Sequence, residues 1–155
     1  MQTSSALRYS NVQQRFNELD SPLQHIVTWG GGSSFEYAIH PLELAISCMG
    51  SEVEQLMRRG SGDQSQLLLN FSDDRTAVIN VYTNTNTPFA AALTTAKATE
   101  YIAVDSSAIF LNTASAMLDL FESGQPSIDR SETLTIRRAL DAAATEAAHS
   151  EFVQL

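Results

Sequence analysis

The sequence predicts an α+β fold, with an open, mostly antiparallel β-sheet and helices packed on one face. Three observations point there. Strand-like runs crowd residues 53–104, a helix, a strand and a helix precede them, and the last fifty residues switch to helical periodicity. The 155 residues are enough for one domain, and roughly 69% of the unfolded surface of a chain this long is buried on folding. With 43% hydrophobic and 17% charged residues, the chain is not an acidic disordered tail.

The elements follow in order. Residues 10–20 read as a short helix, with Ser10 able to cap it and Val12, Phe16 and Leu19 on one face; Ser21-Pro22 ends it. Residues 23–29 alternate as a strand that sets Leu23, His25, Val27 and Trp29 on one side. Gly30-Gly31-Gly32 breaks that pattern, and with Ser33-Ser34 it reads as a mobile or ligand-approaching loop. No Gly-Lys-Ser/Thr and no Gly-x-Gly-x-x-Gly follows, so it is not a phosphate loop. Pro41 suits the first turn of a helix that runs to about Cys48, with Gly50 as its stop.

Residues 53–57, 66–71, 77–82, 89–95 and 99–104 read as strands, with a hairpin turn at Ser72-Asp73-Asp74. Residues 107–122 form a helix with Phe110, Ala114, Met117, Leu118 and Phe121 on one stripe, ended by Gly124-Gln125-Pro126. Asp129 or Ser131 caps a last helix through about His149, with Leu134, Ile136, Leu140, Ala143 and Ala147 inward. Residues 152–155 read as a docked edge segment. Helices are available for one face of the sheet only, so the other face is expected to meet another sheet or subunit; a half-solvated face is the competing expectation.

A formal net charge of -9 argues against nucleic acid and against anionic membranes as partners. The single cysteine, Cys48, cannot form an internal disulfide. The first five residues carry neither a basic start nor an apolar run, and no run of about 18 apolar residues occurs. The expectation is a reduced, cytoplasmic protein.

The densest polar cluster is Glu36, His40 and Glu43. On one helix the three would share a face and could bind a metal, but Pro41 biases His40 away from helical geometry and leaves Glu36 in a preceding extended segment. A histidine held at a helix start beside a carboxylate is better suited to exchanging a proton with a substrate hydroxyl, with a pKa raised toward 7. A histidine that caps the helix and bonds into the core is the competing reading, and Glu43 can equally be a solvated residue or an arginine partner. His25 and His149 sit in no motif, and Cys48 reads as inert core. Ser33-Ser34 lacks the Gly-x-Ser-x-Gly elbow of hydrolases. Lys97, the only lysine, reads as surface.

Two segments together resemble a known family. Ser33 to Glu43, continuing to Met49-Gly50, is similar to an acidic-x-x-x-His-x-x-acidic … Gly signature. Phe121-Glu122-Ser123-Gly124-Gln125-Pro126, Ser131-Glu132-Thr133-Leu134 and 139–144 are similar to Phe-x-x-Gly-x-Pro … Glu-Thr-Leu … Ala-Ala helices. Both belong to the C-terminal domain of the glucose–fructose oxidoreductase, inositol dehydrogenase and rhizopine-catabolism group (Gfo/Idh/MocA), and Ser5 to Ser10 resembles the segment that opens that domain. The resemblance implies a fold like the C-terminal domain of glyceraldehyde-3-phosphate dehydrogenase, with the open sheet as a subunit interface and a homo-oligomer. It implies His40 as catalytic acid/base and Glu36 and Glu43 as acidic residues of the substrate site, with Glu43 bracing the helix rather than reacting.

Members pair this domain with an NAD(P)-binding Rossmann domain. Here the dinucleotide fingerprint and the family's Glu-Lys-Pro motif are missing. The resemblance therefore implies an isolated substrate-binding and oligomerisation domain, with no cofactor held in this chain and NAD(P) implied for the full-length family. On its own it is not a complete dehydrogenase: it would act on a sugar or polyol with a separate or missing Rossmann half. The alternatives are a non-catalytic ligand-binding or assembly module and a defunct remnant.

Overall fold

A computed structural model describes residues 5–32, 35–60 and 62–155; the Ser33-Ser34 pair, expected in a mobile or ligand-approaching loop, lies outside the described residues. Seven strands form one sheet in the order β6-β5-β1-β4-β3-β2-β7. They are β1 (Leu23–Gly32), β2 (Val53–Arg59), β3 (Gln64–Phe71), β4 (Thr76–Thr83), β5 (Ala90–Thr95), β6 (Thr99–Ala103) and β7 (Val153–Gln154). Only β1 and β4 pair in parallel; the other neighbours are antiparallel. The helices are α1 (Asn11–Asn17), α2 (Ile39–Met49), α3 (Ile109–Ser123) and α4 (Arg130–Ala143), so the predicted α+β architecture holds.

α2 is the centre of the core. From Pro41 to Met49 every residue but Ser47 is buried, as suits a helix apolar on nearly all sides. Gly50 ends it at φ 90°, donating its N–H to the Ile46 carbonyl at 2.8 Å. The strands present alternate residues to the core: Leu67, Leu69 and Phe71 from β3, and Ala77, Ile79 and Val81 from β4. The β3–β4 hairpin turns where predicted, with Asp74 at φ 64° and the Phe71 N–H on the Arg75 carbonyl at 3.0 Å. The tail docks as the edge strand β7 on β2.

Four elements depart from the sequence expectation or add to it. First, Leu23 does not share a side with His25, Val27 and Trp29: it is buried with Ile26, Thr28 and Gly30, which β1 turns to the core. A register shift against β5 between Leu23 and His25 inserts one residue, and with a period of two that swaps the faces. Second, Gly30 to Gly32 continue the strand instead of breaking it. Third, the stripe on α3 has no cover within the chain's described residues: Phe110, Met117, Leu118 and Phe121 are 54–76% exposed. α3 instead packs the buried Ile109 on the segment Ala6–Tyr9, where Asn112 donates to the Tyr9 carbonyl at 3.0 Å. Fourth, α4 stops at Ala143, where Thr145 turns both its N–H and its hydroxyl onto the Ala142 carbonyl. Its buried residues are Thr135, Ile136, Ala139 and Ala143, while Leu134 and Ala147 are exposed. Asp129 caps it through a 2.7 Å bond from the Ser131 N–H.

The second face of the sheet carries Val27, Trp29, Met57, Leu68, Val78 and Tyr101, and no helix covers it among the described residues. Trp29 and Tyr101 meet edge-to-face there, 5.8 Å apart. The two faces should therefore respond differently to truncation. Ile79→Ala is expected to cost about 2–5 kcal/mol in urea denaturation, and Leu68→Ala about 1 kcal/mol. Equal losses would place the core on the wrong side.

Candidate functional site

His40 sits in the first turn of α2, directly after a 3-10 turn over Phe35–Ala38. The proline bias that predicts an extended Glu36 is overridden. Pro41 is the third residue of α2, where the amide it lacks has no helical partner in any case. Glu36 therefore lies on the 3-10 turn and is exposed, whereas Glu43 lies one turn beyond His40 and is only 4% exposed. The structure thus brings together two of the three predicted groups. Among the described residues no cluster of three His, Cys, Asp or Glu side chains suits a metal.

Two rings flank the imidazole. Tyr37 and Phe89 meet it edge-to-face at 5.8 and 6.0 Å between centroids. Both rings lie where glycine leaves room. A Cβ on Gly32 would fall 2.1 Å from Tyr37 Cγ, and one on Gly30 would fall 2.5 Å from Phe89 Cε1. A Cβ on Gly31 would come within 2.8 Å of the Tyr82 carbonyl oxygen. The glycines thus seat the walls of the site. The same fact tests a dinucleotide. This is the strand-to-helix glycine run of the chain, and its space is filled by the protein's own rings and backbone. Among the described residues it offers a pyrophosphate no open cradle.

On its other side His40 meets a polar network. Its Nδ1 lies 3.0 Å from Ser5 Oγ. The Ser5 N–H donates to Glu43 Oε2 at 2.8 Å, and Ser5 Oγ accepts the Leu7 N–H at 3.3 Å. Arg8 bridges two acids, with Nε 3.4 Å from Glu43 Oε1 and Nη2 against Glu132 Oε2. A buried carboxylate needs such compensation, since an uncompensated buried charge is strongly destabilising. Nε2 of His40 has no hydrogen-bond partner among the described residues.

His40 lines a cavity of about 600 Å³ that Gly31, Gly32, Tyr37, Phe89 and Phe110 also bound, with Thr85, Asn86, Thr87 and Ser106 supplying polar groups. Burial holds its pKa below the ordinary value, and Glu43 opposes that only in part. The raised pKa expected from a carboxylate neighbour is thus reversed by desolvation. Burial also pushes the Cys48 thiol up to about 12, which keeps it unreactive. His25 is tied to Thr76 by its Nδ1, and Lys97 pairs with Asp20 at the surface. The sequence reading missed Ser5, Arg8, Tyr37 and Phe89. A buried Glu43 that requires a cation was the available signal for Arg8.

Two outcomes follow. Gly32→Ala should displace the Tyr37 ring and cost about 1–3 kcal/mol, read by thermal or urea denaturation. The folded state also favours neutral His40, so the unfolded chain binds its proton first as pH falls. The contribution is complete above the ordinary value of 6.5 and is lost as pH drops through the lower folded value. Melting temperatures from pH 8 to 4 should show this loss, and His40→Gln should flatten that part of the profile.

No family model matches the sequence, and no curated protein matches it. Solved structures do match in fold. A putative myo-inositol dehydrogenase from Sinorhizobium meliloti superposes with a TM-score of 0.80 at 10% identity, over 96% of this chain and 63% of that one. A probable dehydrogenase from Thermotoga maritima gives 0.76 at 12% identity, over 96% and 63%. The scyllo-inositol dehydrogenase of Lactobacillus casei, solved with NAD(H) and scyllo-inositol, gives 0.72 at 12% identity, over 97% and 62%. The chain spans less than two thirds of the length of these dehydrogenases. Its fold is that of the C-terminal domain of Gfo/Idh/MocA-type dehydrogenases.

Proposed function

We propose that this chain supplies the substrate pocket and the acid/base histidine of a sugar or polyol oxidoreductase, working with a dinucleotide-binding domain. One observation carries the reading: His40 stands in the wall of a cavity with Nδ1 on Ser5 and Nε2 without a partner among the described residues. A ring nitrogen so placed accepts the proton of an alcohol as it is oxidised, and returns it to the oxygen of a carbonyl as it is reduced. Tyr37 and Phe89 offer apolar faces to the C–H surface of a sugar, and Thr85, Asn86, Thr87 and Ser106 offer hydrogen bonds to its hydroxyls. Glu43 steadies the imidazolium that forms. Glu36 is exposed on the turn that carries Tyr37 and is not among the residues that line the cavity, so this reading rests on His40 and not on Glu36.

The redox cofactor of this reading, an NAD(P), is held by the other domain; the Tyr37 and Phe89 rings packed against Gly32 and Gly30 support that division. Phe110 lines the cavity and also begins the exposed apolar stripe of α3, a surface of the kind that an adjoining domain covers. The uncovered sheet face, with Trp29, Leu68, Val78 and Tyr101, supports a second element of the reading, a homo-oligomer built face to face.

The tests are direct. Calorimetric titration with myo-inositol, scyllo-inositol and a panel of hexoses should show binding that Tyr37→Ala and Phe89→Ala weaken. NADH and NADPH should give no heat with this chain, and micromolar binding would overturn the division of labour. With a Rossmann-domain partner supplied, His40→Ala should lose at least about 100-fold in rate while still binding polyol. Light scattering should give a species larger than one chain that Trp29→Asp dissociates. A panel without any binding, together with a strict monomer, would leave only the fold.

A further inference from the structure

We infer that Ser5 is a positioning residue for His40: its Oγ accepts the Nδ1–H, which selects the tautomer whose lone pair is on Nε2. The inference gives chemical detail to the acid/base role proposed above and rests on that reading for its purpose, though not for its test.

Ser5 is buried, and it is fixed independently of His40. Its N–H donates to Glu43 at 2.8 Å, and its Oγ caps the turn Ala6–Tyr9 by accepting the Leu7 N–H. Glu43 in turn is fixed by Arg8, which Glu132 of α4 holds from its far side. Ser5 thus contacts two residues one turn apart on α2, Glu43 with its backbone and His40 with its hydroxyl. The contacts close a ring, so the imidazole cannot rotate about χ2 without breaking the 3.0 Å bond.

Electrostatics choose the direction of that bond. The ring edge at Nδ1 faces Ser5, and Ser5 is itself bonded to the Glu43 carboxylate. A proton on the edge nearer an anion is favoured, so Nδ1–H donates and Ser5 Oγ accepts. The arrangement also needs no rearrangement during proton transfer. When Nε2 takes a proton, Nδ1–H stays in place and the same bond serves the imidazolium, while Tyr37 and Phe89 hold the ring plane.

Imidazole ¹⁵N NMR on the full chain at pH 8 tests this. The wild type should show His40 as a single Nδ1–H tautomer. Ser5→Ala should replace it with averaged signals of two tautomers, and Ser5→Thr should restore the wild-type pattern. The signals of His25 and His149 should not move in either variant. An Nε2–H tautomer in the wild type, or an unchanged pattern in Ser5→Ala, would overturn the assignment. If Ser5→Ala fails to fold, the wild type and Ser5→Thr decide: single Nδ1–H in both supports it, and Nε2–H in either sinks it. If the tautomer is as assigned but no polyol binds, the positioning stands and the oxidoreductase reading falls.

Discussion

One buried carboxylate organises the site. Glu43 lies on the most deeply buried helix of the fold, where a charge without partners would cost several kcal/mol. Its partners come from far away in sequence: the Ser5 amide and the Arg8 guanidinium lie more than thirty residues upstream. Arg8 then reaches Glu132 on α4. The requirement to compensate a single charge therefore ties the start of the described chain, the central helix and the last helix, α4, together. His40 inherits its orientation from that tie, because the residue that satisfies Glu43 with its amide is the residue that holds Nδ1 with its hydroxyl.

The second constraint is steric. Three consecutive glycines would ordinarily weaken a strand, since they lose much entropy and pack no side chain. Here their missing side chains are replaced by neighbours. Tyr37 and Phe89 move into the vacated space and stand on either side of the histidine. One stretch of backbone thus continues the sheet and builds the cavity wall. The room beside Gly30 and Gly32 is spent on aromatic rings, and the backbone of Tyr82 closes on Gly31.

Much of this was legible in the sequence, and what was not had physical reasons. The six longer strands, the central helix with its glycine stop, the β3–β4 turn and the docked tail all follow from local pattern, because each is written in neighbouring residues. His40 and Glu43 as a pair followed from their spacing along one helix. The inward face of β1 did not follow, because a one-residue shift against β5 is set by pairing and not by the strand itself. The stripe on α3 marks a further limit. Periodicity shows that a helix has an apolar face but not what covers it, and here the fold turns that face outward. Ser5 and Arg8 were read only as part of a resemblance, since their function depends on contacts across more than thirty residues.

The place of β1 in the sheet has a consequence for the site. It lies between β4 and β5, and His25 meets Thr76 across 51 residues of chain. The β2–β3–β4 meander and the β5–β6 hairpin close over short loops, whereas β1 pairs on both edges with strands distant in sequence. Without β1, β4 and β5 would present bare edges. The strand that ends in the glycine run is thus the piece that joins two locally connected units into one sheet. The pocket wall it carries exists only where those two units meet, so the shape of the site depends on pairings made across the chain and not on any one hairpin.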